Sequence, residues 1–148
     1  MRIMRRWFPI IAAVLAVSFP VSAAQDVALQ GMIDRAGTAP VGDRPALYVD
    51  IAERQLKAAD DLYTEGKADE AHAAVKDVVV YSEKARDTAI QSGRKLKTTE
   101  ISIRRMAAKL RDIKRTLSFE DQGPVQAAAD RLETMRTDLQ HKMFGKGK

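Results

Sequence analysis

The stretch that decides the fold is residues 68–117, which read ADEAHAAVKDVVVYSEKARDTAIQSGRKLKTTEISIRRMAAKLRDIKRTL. Apolar or small side chains recur in it at alternating spacings of three and four residues, the period of one face of an α-helix. One stripe precedes Gly93, a second stripe follows it, and both keep the same register across the glycine. The stretch is therefore predicted to be either two helices that reverse at Gly93 or one long helix.

Helical segments are also predicted on both sides of this stretch. Asp43 and Pro45 are typical of a helix start, and Gly66 is typical of a helix end. After Gly123, Pro124 begins a further segment whose apolar residues follow the same spacing. If the chain reverses at Gly93, the four helices are predicted at about residues 45–65, 68–91, 98–117 and 124–144.

Four helices of similar length, about 30 Å each, with short connections predict an all-α up-down-up-down four-helix bundle over residues 45–144. The alternative places the first and last helices on the two halves of one long central helix, residues 68–117. An interior glycine costs only about 1 kcal/mol relative to alanine, so this alternative stays open.

The start of the chain is typical of a secretory signal peptide over residues 1–24. Arg2, Arg5 and Arg6 are its basic region, and residues 10–19 are its apolar run. The small residues at its end predict cleavage after Ala24, with Ala23 as the alternative. The processed protein is then periplasmic or secreted, without a transmembrane segment, and the export route (general or twin-arginine) stays open.

Residues 25–44 are predicted to be a flexible leader because glycines and Pro40 recur in them. A short helix over Asp26–Arg35 is compatible with this leader. Residues 145–148 form a predicted basic tail.

The charge of the processed chain argues against a nucleic-acid partner. The full chain has 25 basic and 20 acidic side chains, a net charge of +5. Removing the three arginines of residues 1–24 leaves 22 basic against 20 acidic side chains, a net charge of +2. Nucleic-acid binding rests on clustered positive charge. The chain also contains no cysteine, so an exported domain of this sequence depends on packing alone.

The third predicted helix is strongly basic, whereas the first is mainly acidic. Ion pairs between these helices are the simpler interpretation, and a surface that binds anionic groups is the functional one. The candidate anion-binding patch consists of Arg104, Arg105, Lys109, Arg111, Lys114 and Arg115.

Residues 52–80 resemble a single tetratricopeptide-repeat hairpin. The resemblance is carried by Ala59, Leu62, Tyr63, Gly66, Asp69, Glu70, Ala71, Val75 and Val78. It implies an antiparallel helix pair and a peptide-binding function. Glu83 stands where such a repeat usually ends in proline, and no second copy follows.

Residues 127–144 resemble the last helix of periplasmic four-helix b-type cytochromes, through Ala127–Ala129, Leu132, Thr134, Arg136 and His141. That resemblance implies a haem held by a histidine and a methionine. Here His141 is displaced by one position, and Met32 lies before the first predicted helix of the bundle.

No residue pattern predicts a catalytic, cofactor-binding or metal-binding site. His72 and His141 form no pair at metal-ligand spacing. We therefore expect a non-enzymatic interaction or scaffold protein of the cell envelope, whose partner is a protein or an anionic surface. A periplasmic haem or ligand carrier is the alternative function, and self-association is open.

Overall fold

The computed structural model describes residues 21–145, with side chains from residue 25 onward. Within this range the chain is helical, without β-strands, which confirms the all-α prediction for the described residues. The five helices are α1 (Val21–Thr38), α2 (Arg44–Thr64), α3 (Ala68–Ser92), α4 (Leu96–Thr116) and α5 (Phe119–Phe144). The predicted signal peptide lies outside the described residues up to position 20, and so does the basic tail after Gly145.

The turn between α3 and α4 shows that residues 68–117 are not one helix. Gly93 has φ 67° and Lys95 has φ 62°, so two left-handed residues interrupt the helical hydrogen bonding. Ser92 stabilises the turn, since its hydroxyl donates to the Thr88 carbonyl at 2.7 Å and accepts from the Arg94 amide at 3.2 Å. The long central helix is therefore wrong, and the predicted positive φ at Gly93 is confirmed.

The predicted flexible leader also needs correction, because residues 25–38 belong to α1. Leu29, Met32, Ile33 and Ala36 recur at helical spacing and pack with Tyr48, Val49, Ile51 and Ala85 in a second, smaller apolar cluster. The interior Gly31 costs about 1 kcal/mol relative to alanine, less than this packing contributes. Only residues 39–43 separate α1 from α2.

The start of α5 is five residues earlier than predicted. Ser118 precedes the helix, its hydroxyl donates to Asp121 at 3.0 Å, and Pro124 lies inside the second turn. A proline there lacks the backbone N–H that would bond to the Glu120 carbonyl, so the helix loses one hydrogen bond in its second turn. The other three predicted helices begin and end within two residues of α2, α3 and α4.

The main core lies between two antiparallel helix pairs, α2 with α3 and α4 with α5. The ion pairs Glu83–Arg131 (2.7 Å) and Arg86–Asp138 (3.0 Å) show that α3 and α5 run in the same direction. All predicted stripe residues from Ile103 to Ile113 and from Val125 to Leu139 are buried. The predicted core faces of α4 and α5 are thereby confirmed.

One ion pair between α4 and α5 is largely shielded from solvent. Glu100 is 6% exposed, accepts a hydrogen bond from Arg136 at 2.6 Å and a second from Gln140 at 3.3 Å. The hydrogen bond to Glu100 raises the pKa of Arg136. The pair fixes the register of the second hairpin, since a buried carboxylate without a partner is costly.

Candidate functional site

The described part of the chain contains no group of three or more histidine, aspartate and glutamate side chains able to hold a metal ion. The two histidines lie apart. His72 is near the start of α3, close to Asp121 at the start of α5, whereas His141 is exposed in the last turn of α5. Asp121 and His141 are separated by about 20 residues of α5, or some 30 Å.

His72 belongs to a small polar cluster where the α2–α3 turn meets the start of α5. Its Nε2 lies 3.7 Å from an Asp121 carboxylate oxygen, and its ring lies edge-on to Tyr63 with centroids 5.6 Å apart. The Tyr63 hydroxyl is buried without a hydrogen-bond partner. Burial, and then the charge of Asp121, raise the pKa of Tyr63 to about 12. Tyr63, His72 and Asp121 thus connect the α2–α3 hairpin to the α4–α5 hairpin.

The six residues of the predicted anion-binding patch do not form one surface. Lys109 pairs with Asp60 of α2 at 2.8 Å, and this hydrogen bond raises the pKa of Lys109. Arg104 and Arg105 are exposed near it and form no ion pair with the described residues. Of these three basic side chains, Lys109 alone forms the ion pair with α2 that the simpler interpretation predicts.

The other three residues of the patch meet at the turn between α4 and α5. Arg111, Lys114 and Arg115 line a recess of about 340 Å³ together with Gln122 and Gln126 of α5. The structure therefore divides the predicted patch. Lys109 pairs with α2, Arg104 and Arg105 form no ion pair with the described residues, and the other three residues border this recess.

A groove of about 590 Å³ lies along the outer face of α2 and α3. Its floor contains small or apolar side chains, namely Ala58, Leu62, Ala73 and Ala74. Gln25, Asp26 and Leu29 of α1 close one end of it. The opposite end, near the α2–α3 turn, is open.

Charged side chains form the rim of the groove. The acidic ones are Asp26, Asp61, Glu65, Glu70 and Asp77, and the basic ones are Arg54, Lys57 and Lys67. Several pair with one another: Lys57 with Asp61 at 2.8 Å, Lys67 with Glu65 at 3.1 Å. These hydrogen bonds raise the pKa of both lysines. Gln55 donates to Asp77 at 2.9 Å and links α2 to α3 beneath the rim.

The groove continues the surface on which α1 lies. Leu47 and Ile51 of α2, with Tyr81 of α3, pack in the smaller cluster with α1. The next residues at helical spacing on the same faces, Gln55, Ala58 and Leu62 of α2 and Asp77, Ala74 and Glu70 of α3, line the groove. Among the residues whose side chains the structure describes, α1 covers one part of the outer face of the α2–α3 hairpin, and the groove is the part that none of them covers.

Sequence reasoning missed this groove, although it singled out the hairpin. Residues 25–44 were predicted to be a flexible leader compatible only with a short helix, so a helix as long as α1 at the border of the groove was not expected. Ala58, Ala73 and Ala74 were its available signal, because small residues at helical spacing on both helices permit close approach of a third helix.

Within the described residues, no helix is both long and apolar enough to cross a membrane. Comparison of the chain with protein-family models, with curated proteins and with solved structures finds no match.

Proposed function

We propose that this chain is an exported, non-enzymatic interaction protein of the cell envelope that binds a helical segment of a partner protein in the groove of the α2–α3 hairpin. In this proposal residues 1–24 direct export and are removed. The helices α2–α5 form an up-down-up-down bundle that keeps the hairpin rigid, and the hairpin presents its outer face in the manner of a tetratricopeptide repeat.

The observation that carries the proposal is the position of α1. This helix packs on the outer face of the hairpin through Leu29, Met32, Ile33 and Ala36, so the chain itself shows that the face accepts an amphipathic helix. The groove continues the same two helix faces, although its lining is more polar, with Gln55 and Asp77 beside Ala58 and Leu62. Once residues 1–24 are removed, Gln25 is the first residue of α1, and a partner helix in the groove would lie beyond this processed end.

The floor of the groove supports a helical occupant. Ala58 and Ala73 carry only a methyl group, so a helix backbone can approach closely, and Leu62 offers apolar surface at the centre. Burying apolar area releases about 25 cal/mol per Å², and this term supplies the affinity of a helix lying in a groove.

The charged rim supports specificity. Glu70 and Asp26 form no ion pair with the described residues, whereas Lys57 and Lys67 already pair with rim carboxylates. A partner with basic residues beside its apolar stripe therefore finds unpaired acidic groups, and an acidic partner is repelled.

The proposal is tested by closing the groove without disturbing the core. Ala73 is exposed on the floor, so Ala73→Arg fills the groove with a long charged side chain. Ala108, also exposed but on α4, receives the same substitution as a matched control. Tagged forms of the three proteins are expressed in the native host and recovered from its envelope under mild conditions.

We expect one partner to co-purify with the original protein and with Ala108→Arg in similar amounts, and to be reduced at least tenfold with Ala73→Arg. Equal unfolding midpoints of both variants establish that they fold. A partner retained in full by Ala73→Arg would refute the groove as the binding site.

A further inference from the structure

We propose that the recess at the α4–α5 turn, formed by Arg111, Lys114, Arg115, Gln122 and Gln126, is a binding site for a phosphate group. It lies on the second hairpin, outside the groove, and is independent of the function proposed for that groove. Its lining consists of cationic and amide side chains only.

The three cations are brought to one place by helix geometry and by the turn. Arg111 and Arg115 lie one helical turn apart on α4, with Lys114 beside them, near the end of the helix. Leu117 and Ser118 then reverse the chain, so that Gln122 and Gln126 of the first turns of α5 face them. Gln122 is held there because its amide donates to the Leu117 carbonyl at 3.0 Å.

Neighbouring residues hold the cations in place and leave most of their donors free. Arg111 lies 3.2 Å from Glu133, Arg115 donates to Asp112 at 2.9 Å, and Lys114 donates to the Gln126 side chain at 2.7 Å. A guanidinium has five N–H groups and an ammonium has three. Each of these contacts uses one donor, so the remaining donors can bind an anion while the existing pairs stay formed.

The number of cations favours phosphate over a single carboxylate. Two forked guanidinium groups and one ammonium offer several donors to a ligand with several acceptor oxygens, while Glu133 and Asp112 balance the charges of Arg111 and Arg115. The volume of about 340 Å³ equals roughly ten water molecules, which leaves room for a phosphate group with its remaining hydration. A free phosphate and the headgroup of an anionic phospholipid both present this chemistry.

The experiment compares two double variants with equal charge loss on the same helix. Lys114→Gln with Arg115→Gln removes two cations from the recess, and Arg104→Gln with Arg105→Gln removes two cations outside it. Arg115 is 75% exposed and, among the described residues, pairs only with Asp112 of its own helix, so the first variant leaves the core intact. Inorganic phosphate is titrated into the ¹⁵N-labelled proteins at constant ionic strength, and amide and arginine side-chain shifts are recorded.

We expect saturable shifts at residues 111–126 in the original protein. The recess variant should weaken phosphate binding at least tenfold and the control variant less than twofold. Absence of saturable shifts at the recess, or equal weakening by both double variants, would overturn the proposal, because general charge attraction then explains the effect.

A second arm identifies the source of the phosphate. Phosphatidylcholine vesicles with and without phosphatidylglycerol are sedimented with the same three proteins. Sedimentation that needs phosphatidylglycerol and is lost only in the recess variant assigns the site to lipid headgroups. Retained binding of inorganic phosphate without sedimentation assigns it to a soluble phosphate compound.

Discussion

Replacing Gly93 by alanine should lower the stability of the fold if the chain reverses at Gly93, and should raise it if residues 68–117 form one continuous helix. Gly93 has φ 67°, a conformation that costs an L-residue about 1–2 kcal/mol. A methyl group added there meets no heavy atom within 4 Å, so no steric clash with neighbouring residues adds to that cost. Alanine also restricts the unfolded chain, which offsets about 0.4–1 kcal/mol. The expected net loss of stability is about 1 kcal/mol.

Urea unfolding followed by circular dichroism at 222 nm measures this loss. With a denaturant slope of about 2 kcal/mol per molar, the midpoint should fall by about 0.5 M. Gly31→Ala is the matched control, since Gly31 is an exposed interior residue of α1 and its added methyl group also meets nothing within 4 Å. There alanine should increase the helicity of α1, because it is the better helix former by about 1 kcal/mol. A midpoint that rises with Gly93→Ala would refute the reversal at this residue, since a helical position would respond in that direction.

Three further substitutions test the core and its buried polar groups. Leu132→Ala should lower the unfolding free energy by about 2–5 kcal/mol because Leu132 is fully buried. Arg104→Ala, at an exposed position, should change it by less than about 0.5 kcal/mol. Similar losses from both substitutions would contradict the core assignment. Ser82→Ala should raise the free energy of unfolding by about 1 kcal/mol, since the Ser82 hydroxyl is buried without a hydrogen-bond partner. A fall in the free energy of unfolding would mean that this hydroxyl does form a hydrogen bond. The pKa of Tyr63 is about 12 in the folded chain against 10.0 ordinarily, so the unfolded chain loses this proton first and stability falls as the pH rises from 10 to 12. Tyr63→Phe should flatten that part of the pH profile of the urea midpoint, and an unchanged slope would show that Tyr63 does not contribute to it.

The helices and the core could be read from the sequence because both depend on local periodicity. Ile103, Leu110 and Leu132 recur at helical spacing, and the side that buries them follows directly from that spacing. The reversal at Gly93 is different. The stripe continues in register across the turn, so periodicity alone is compatible with both architectures, and left-handed Lys95 carries no compositional signal.

Residues 25–44 were predicted to be a flexible leader, compatible with only a short helix over Asp26–Arg35, because their glycine and proline content was given more weight than a short apolar stripe. The stripe from Leu29 to Ala36 stabilises a helix only when Tyr48 and Ile51 are present to cover it. This contact depends on tertiary packing, which the local sequence of α1 does not reveal. The groove depends on it in turn, because its closed end is built from the start of α1 and its floor is the part of the hairpin that α1 leaves uncovered.

The candidate anion-binding patch illustrates the same limit for charges. The basic residues of α4 were visible in the sequence, but which of them pair with α2 is decided by packing. Lys109 reaches Asp60 across the helix interface, whereas Arg115, six residues later, borders the recess. Helical spacing predicts which residues share a face, and only the arrangement of neighbouring helices shows which partners that face meets.

Site-specific photocrosslinking in the native host tests most directly the claim that the groove holds a partner helix. A photoreactive amino acid is placed at Ala73 on the groove floor or at Ala108 on α4, both exposed positions in helices, and adducts are identified by mass spectrometry after illumination. The account predicts one discrete adduct with a different protein from position 73, mapped to a helical segment of that protein, and no such adduct from position 108. No adduct at position 73, an adduct with a second copy of this chain, or the same adduct from both positions would contradict it.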